Sequence, residues 1–158
     1  MGLNRSTTAV GDLKEVPDTP AARLAMEGAD LNRLVAVRAN FTGARLAGAN
    51  LEKAEFHRCV LARAVLSNAN LSKGDFGRSQ FESADLRGAD LGYSNLARAS
   101  FRQAKLAGAN FSHAFLFAAH VEATDLSAAK GLAQAQIDVA CGDAKTILPV
   151  GLKAPAAW

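Results

Sequence analysis

The sequence predicts an all-β solenoid of square cross-section, in which the chain turns a corner after every five residues. Two observations predict this fold. From position 31 to position 126 every fifth residue is a central apolar residue, and 18 of these 20 residues are Leu or Phe. In addition, residues 20 positions apart are chemically alike, which indicates that four five-residue segments complete one coil.

The five-residue step excludes a single helix or a single strand as the source of the pattern. On an α-helix such a step advances by about 140° net, so the apolar residues would spiral around every side. In a continuous strand an odd step sends successive residues to opposite faces. A chain that turns after each short segment keeps the whole apolar set inside, as in stacked repeats that bury their apolar faces against one another.

A second inward position precedes each central residue by two residues. Of these 20 positions 14 are Ala, and Cys59 occupies another. Residues two apart in a short strand point to the same side, so a narrow tube has room for one large and one small side chain per segment. Cys59 is therefore interpreted as a packing residue. Parallel stacking of coils also predicts that Phe56 lies on Phe76 and Phe81 on Phe101.

The chemistry of the corners distinguishes four sides from three. At a spacing of 20 residues arginine recurs at one corner, whereas at a spacing of 15 the same column mixes Arg, Lys, Asn and Ser. A second column of this spacing consists of Gly48, Asn68, Gly88 and Gly108. Gly and Asn accept the positive φ that a type II turn requires at its second central position, so we expect tight turns there.

The motif Ala-(Asp/Asn)-(Leu/Phe)-x-x, which runs through residues 29 to 128, resembles the pentapeptide-repeat family. The resemblance implies a right-handed quadrilateral β-helix, and twenty repeats then make about five coils, about 24 Å long at ~4.8 Å per coil. We expect three regions: an N-terminal segment and cap over 1–28 whose start is disordered, the β-helix over 29–130, and a C-terminal capping helix and tail over 131–158. The family's usual distribution implies a bacterial protein.

Short α-helical caps are expected at both ends, because open β-edges recruit other chains. Asp18-Thr19-Pro20 predicts the start of a helix that runs through Glu27 and stops at Gly28, although Met26 is also in register with the repeats. Residues 132–141 predict a second short helix. The tail beyond it is rich in apolar residues, and we expect it to fold back along the outside of the rod.

Phe115 and Phe117 flank Leu116 and are therefore predicted to point outward, on the second side of the square. They form either the landing site of the tail or an interface with a partner. We favour the tail, because the same chain supplies apolar groups at high local concentration.

Composition and charge narrow the function. The 158-residue chain has a formal net charge of +3 and a pI near 9.1, which argues against an acidic decoy. No apolar run approaches the roughly 20 residues that cross a bilayer, and the N-terminus lacks the apolar core of a signal peptide. We therefore expect a cytoplasmic protein that does not bind membranes.

No catalytic or metal-binding motif is recognised, so we expect neither enzymatic activity nor a cofactor. His57 and Cys59 are predicted to point in opposite directions and to form no catalytic pair. The Asp/Asn column of the first side is interpreted as a ladder of side-chain hydrogen bonds rather than as a cation site. This column consists of Asp30, Asn50, Asn70, Asp90 and Asn110.

The candidate interaction surface combines two basic columns with the two outward phenylalanines. Its residues are Arg38, Arg58, Arg78 and Arg98 at one corner, Arg33, Lys53 and Lys73 at the preceding corner, and Phe115 and Phe117. Glu55 and Asp75 lie between the columns and are predicted to neutralise several members, which would leave an ordinary solvated face. The alternative is a basic stripe that binds an anionic partner, either an acidic protein or nucleic acid. Only Tyr93 among the aromatic residues joins the stripe, so base stacking on a single strand is not predicted.

These observations favour a non-catalytic scaffold that binds an unidentified protein. The family resemblance implies a second hypothesis, since some members resemble DNA, bind DNA gyrase or topoisomerase IV and protect against quinolones. Those members are typically acidic dimers with inserted loops, whereas this chain is basic and its repeats are uninterrupted. A third hypothesis is direct binding of nucleic acid by the arginine stripe. A homodimer, joined through an end or through Phe115 and Phe117, is a further alternative.

Overall fold

The protein is described by a computed structural model that covers residues 25–158. Single-residue parallel β-bridges join positions 20 apart, from the Ala25–Arg45 pair to the Asn110–Lys130 pair. The bridges are continued by backbone hydrogen bonds between neighbouring coils; the Leu51 amide, for example, donates to the Asn70 carbonyl at 2.6 Å. The predicted period of 20 residues is therefore confirmed.

Each repeat consists of one bridge residue followed by a tight turn. In the repeat centred on Leu31, the Leu34 amide donates to the Leu31 carbonyl at 3.0 Å, which closes a turn around Arg33. The second central residue of the turn has a positive φ at every corner from Gly28 to Ala123, and at 15 of these corners it is not glycine. The positive φ expected for the Gly/Asn column thus occurs at all four corners, including those that carry Arg and Lys.

The core lies along the axis of the tube. All central residues from Leu31 to Leu126 are buried, and burial of each Leu or Phe contributes about 1.5–3 kcal/mol before conformational entropy is counted. The phenylalanine rings form a continuous column of contacts, with neighbouring centroids 4.9–6.0 Å apart and interplanar angles from 4° to 81°. The column comprises Phe41, Phe56, Phe76, Phe81, Phe101 and Phe111. It includes both predicted pairs, Phe56–Phe76 and Phe81–Phe101.

Gly74 is the glycine among the small inward residues, and the ring of Phe76 explains it. A Cβ added to Gly74 would lie 2.5 Å from Cε2 of Phe76 and 3.0 Å from the carbonyl oxygen of Ala54. Phe76 is itself fully buried. In the orientation that this ring adopts, position 74 has no room for a side chain, whereas the other central phenylalanines are preceded by Ala or Ser.

Side-chain ladders of Asn and Asp run up the outside of the coils. Asn50 donates from Nδ2 to Asp30 at 3.1 Å, and Asn70 donates to Asn50 at 3.3 Å. Higher in the same column, Asn110 donates to Asp90 at 2.9 Å. Asn50 also accepts a hydrogen bond from the amide of Glu52, two residues later, and so supports its own turn. The predicted ladder is confirmed for Asp30, Asn50 and Asn70 and for Asp90 and Asn110, while the side chains of Asn70 and Asp90 are not hydrogen-bonded to each other.

The first described residues form an additional repeat rather than the end of a helix. Ala25 bridges to Arg45, the Met26 amide donates to the Arg45 carbonyl at 2.8 Å, and Gly28 has a φ of 63°. The prediction that Met26 is in register is confirmed, whereas the prediction that the N-terminal helix continues to Glu27 is wrong. The rest of that predicted helix, residues 18–24, lies outside the described residues.

A single helix, α1 (Gln134–Asp138), occurs in the described part of the chain, inside the predicted range of 132–141. Ile137 is buried, and Gln136 donates from Nε2 to the carbonyls of Phe111 and Ala114 at 2.8 and 2.9 Å. These contacts place α1 over the last coil. After α1 the ladder resumes with longer spacings, at Cys141, which bridges to His120, and at Ile147, which bridges to Asp125.

The tail crosses the C-terminal end of the tube and does not return along its outside. Trp158 donates from Nε1 to the Ala140 carbonyl at 3.3 Å, and its ring packs against Gly142, where a Cβ would collide with it. Gln134 exchanges two hydrogen bonds, of 2.9 and 3.0 Å, with the backbone of Lys153. The prediction that the tail lies along the outside of the rod is therefore wrong.

Candidate interaction surface

The residues of the predicted surface share one side of the tube, called side 2 below. Its bridge residues form a column along the middle of the side, in which each residue pairs with the next. The column consists of Val35, Glu55, Asp75, Asn95 and Phe115. Side 2 is bordered by the two basic columns, which occupy the turns before and after each of its segments.

The four arginines of one border are vertical neighbours. The Arg38 amide donates to the carbonyl of His57 at 3.0 Å, and the equivalent bonds of Arg58 and Arg78 measure 2.9 and 2.8 Å. Each of the four, including Arg98, has a φ of 57–59° and therefore occupies the same position of its turn. We call these residues the arginine column; at a coil spacing of about 4.8 Å it extends over about 14 Å.

The carboxylates of side 2 do not neutralise the arginine column. Within residues 25–158 no carboxylate lies at ion-pair distance from any of its four guanidinium groups. Asp75 instead accepts hydrogen bonds from the Gly77 amide and from Asn95, both at 2.9 Å. The prediction that Glu55 and Asp75 neutralise the arginines is therefore wrong.

The opposite border is partly neutralised by a carboxylate in one of its own turns. Glu52 lies 3.0 Å from Nζ of Lys73 and 3.7 Å from Nζ of Lys53. The hydrogen bond from Lys73 holds the pKa of Glu52 below its ordinary value. The two borders of side 2 are thus electrostatically different, and the arginine column is the more strongly cationic one.

Side 2 concentrates the positive charge of the molecule. With its borders it has seven cationic residues and three carboxylates, which sum to +4, whereas the whole chain has a formal charge of +3. The remainder of the chain therefore carries −1. The cations are Arg33, Arg38, Lys53, Arg58, Lys73, Arg78 and Arg98, and the carboxylates are Glu52, Glu55 and Asp75.

Aromatic residues occupy the C-terminal end of side 2. Phe115 and Phe117 are 57% and 48% exposed, and their rings are stacked with centroids 6.2 Å apart. Because the tail lies elsewhere, the preferred prediction that it covers these two rings is wrong. At the adjacent corner Tyr93 stacks on His113, with ring centroids 4.7 Å apart. The carbonyl of Val139 accepts a hydrogen bond from the Ala118 amide at 2.7 Å. Its exposed side chain therefore lies near Phe117 and adds to the apolar surface at this end.

Val139 was not recognised as a surface residue from the sequence. Its position beside side 2 depends on the path of α1 over the last coil, and that segment no longer follows the five-residue period. A periodic pattern therefore carries no signal for it.

Two other ionisable groups, Glu122 and Cys59, lie away from side 2. On the next side, Glu122 accepts two hydrogen bonds from Arg102, at 2.8 and 3.2 Å, and lies 2.9 Å from Nδ1 of His120. The Arg102 hydrogen bond, assisted by His120, lowers the pKa of Glu122 to about 2. Cys59 is buried next to the Ala36 carbonyl, and burial raises the pKa of its thiol to about 11, so it remains protonated near neutrality.

Two general properties of the described residues bear on the class of function. Across residues 25–158, no three His, Cys, Asp or Glu side chains converge in a way that could hold a metal ion. Over the same residues, none of the helical structure has the length and apolar character that a membrane crossing requires.

The ladder of coils and the repeated turn define a solenoid built from five-residue units. The family model for the pentapeptide repeat region matches residues 36–111 and 54–130. This chain therefore belongs to the pentapeptide repeat family, whose members form right-handed quadrilateral β-helices.

Several solved structures are similar to this chain. The pentapeptide repeat protein Rfr23 from the cyanobacterium Cyanothece 51142 is 24% identical, with 77% of this chain and 88% of that chain covered and a TM-score of 0.48. A pentapeptide repeat protein from Nostoc PCC 7120 is 26% identical, with 75% and 84% covered and a TM-score of 0.47. QnrB1, a plasmid-mediated fluoroquinolone resistance protein, is 17% identical, with 79% and 88% covered and a TM-score of 0.25. No curated protein matches in sequence.

Proposed function

We propose that this protein is a non-catalytic scaffold that binds a protein partner through side 2. The observation that carries the proposal is an arginine column, without ion-pair partners in residues 25–158, that leads to the exposed Phe115 and Phe117. Aromatic and arginine side chains are the residues that most often dominate the energy of protein interfaces. Complementary charge adds selectivity and speeds association.

The fold supports this function because it presents side chains on a rigid grid. In the proposed architecture about five coils form the rod, while α1 and the tail cap its C-terminal end. The amide of each arginine in the column donates a backbone hydrogen bond to a carbonyl of the next coil. A surface that is already ordered loses little conformational entropy when a partner binds.

The size of side 2 predicts the strength of the interaction. A face about 10 Å wide and 24 Å long is smaller than the roughly 800 Å² that each partner buries in a standard interface. Binding confined to side 2 therefore belongs to the transient class of interactions. We expect an affinity near the micromolar range rather than the nanomolar range.

Affinity capture from cells of the source organism tests the proposal. The wild-type protein is compared with Phe115→Ser/Phe117→Ser, with Arg58→Glu/Arg78→Glu, and with Arg63→Glu as a control. Arg63 is matched to the arginine column, since it has the same φ of 58° but lies at a different corner. We expect at least one protein to be captured by the wild type and the control but lost from both double variants. Capture that is equal for all four proteins would show that side 2 is not the binding surface.

A further inference from the structure

We propose that the segment recognised by side 2 is an acidic amphipathic α-helix of the partner. The helix lies along the axis of the tube, with apolar residues on Phe115 and Phe117 and carboxylates on the arginine column. This inference rests on the proposed scaffold function, and it specifies the chemistry of the partner.

The distribution of charge across side 2 favours a helix over a nucleic acid. The cations stand along the two borders, whereas Glu55 and Asp75 belong to the middle column. A nucleic acid is negatively charged on all sides, so its phosphates would meet these two carboxylates. An amphipathic helix separates acidic from other residues and thus keeps its carboxylates away from the middle of side 2.

The vertical spacing of the arginine column matches a helix better than an extended chain. Neighbouring coils are about 4.8 Å apart, and a helix rises about 5.4 Å per turn, so the mismatch over three intervals is only about 2 Å. In an extended strand, residues of one face are about 6.8 Å apart, and the mismatch grows to about 6 Å. Flexible arginine side chains compensate for the smaller difference more readily than for the larger one.

The width of side 2 also fits one helix. The straight part of each segment contains three residues between its two turns, for example residues 34–36. At about 3.3 Å per residue this part spans about 10 Å, which is close to the 10–12 Å diameter of a helix with its side chains. A helix centred on side 2 therefore reaches both borders.

The exposed aromatic residues determine which end of the bound helix is apolar, and the length of side 2 determines how many residues the helix has. Phe115, Phe117 and Val139 are exposed at the C-terminal end, and the arginine column begins one coil before them, at Arg98. The partner helix is expected to have apolar residues at one end and carboxylates over the following turns. A contact length of about 24 Å corresponds to about 16 helical residues.

The test uses a fluorescein-labelled synthetic peptide of about 18 residues, with Glu on both flanks of the helix and two Leu at one end. Its fluorescence anisotropy is measured with the full-length protein at low ionic strength, where charge pairs are weakly screened. We expect micromolar binding that weakens about tenfold or more for Arg58→Glu/Arg78→Glu and for Phe115→Ser/Phe117→Ser. Arg63→Glu is expected to bind like the wild type. The milder Arg58→Gln/Arg78→Gln variant, checked by circular dichroism, is expected to weaken binding without charge reversal.

Comparison probes discriminate the other occupants of side 2. A peptide of the same charge with two central prolines that binds equally tightly would overturn the helical conformation. Single-stranded and duplex DNA of about 20 nucleotides serve as the nucleic-acid probes. If either binds more tightly than the acidic peptide, and Arg58→Glu/Arg78→Glu weakens that binding, nucleic acid replaces the helix as the proposed partner. A dimer in light scattering that Phe115→Ser/Phe117→Ser converts into a monomer would identify a second copy of the chain as the occupant.

Failure of this inference is distinguishable from failure of the proposed function. If no peptide binds but capture from cells still requires side 2, the chemistry of the partner is wrong and the scaffold function stands. If capture is also independent of side 2, the proposed function itself is refuted.

Discussion

Replacing Gly74 by alanine tests whether the ring of Phe76 occupies the space that a side chain at position 74 would need. The new methyl group would lie 2.5 Å from Cε2 of Phe76 and 3.0 Å from the Ala54 carbonyl oxygen. The ring of Phe76 has little freedom to yield, because it is fully buried between Phe56 and Phe81, whose centroids are 5.8 and 6.0 Å away. Overpacking of this kind costs about 1–3 kcal/mol.

The expected net effect is smaller than the steric cost. Gly74 is not among the glycines with a positive φ, so alanine stiffens the unfolded chain there and contributes about 0.4–1 kcal/mol of stability. We therefore expect Gly74→Ala to destabilise the protein by about 1–2 kcal/mol, measured as the shift of the urea midpoint at unchanged slope. In thermal unfolding the same change corresponds to a decrease of roughly 2–8 °C.

A second substitution isolates the ring as the cause. With alanine at position 74, Phe76→Leu gives the Ala–Leu combination that nine of the 20 repeats contain, so the alanine is expected to be neutral or slightly stabilising in that background. The double-mutant cycle should then give a coupling of at least 1 kcal/mol, which is typical of residues in contact. A cost of Gly74→Ala that is the same in both backgrounds, within about 0.5 kcal/mol, would refute the explanation.

Three further predictions concern a corner, the arginine column and an ion pair. Gly48 has a φ of 65°, and an added Cβ would have no atom within 4 Å. Gly48→Ala should therefore lower the free energy of unfolding by about 1 kcal/mol through backbone strain alone, and Gly48→Asn should lower it less. Both are measured by urea unfolding, and equal midpoints for the two variants would contradict this explanation. Arg58→Glu/Arg78→Glu should leave the thermal midpoint unchanged within a few degrees, because neither arginine has an ion-pair partner in residues 25–158. A large decrease of the midpoint would show that the two arginines stabilise the fold. The pKa of Glu122 is lowered in the folded protein to about 2 from 4.5, so its stabilising contribution is complete above pH 4.5 and is lost as the pH falls toward 2. Glu122→Gln should therefore flatten the decrease of the thermal midpoint over this interval, and an unchanged slope would exclude this carboxylate as a cause.

The candidate surface was predictable in its positions but not in its interactions. Identical spacing in the sequence placed the arginines above one another, because every coil repeats the backbone of the coil below it. It did not reveal that Asp75 bonds to Gly77 and Asn95 instead of to an arginine. Side-chain direction depends on local hydrogen bonds, about which the five-residue period carries no information.

The sequence by itself determined the period of five, the period of 20, the set of inward residues and the contact between Phe56 and Phe76. It did so because a leucine or phenylalanine at every fifth position leaves the apolar set buried only if the chain turns at every repeat. Only the tertiary structure showed that the arginine and lysine corners have a positive φ, because these residue types do not by themselves indicate it. The course of the chain after residue 130 was likewise decided by the tertiary structure. There the period ends, and the contacts of α1 and Trp158 with the last coil, rather than any repeated pattern, place the tail over the end and leave Phe115 and Phe117 exposed.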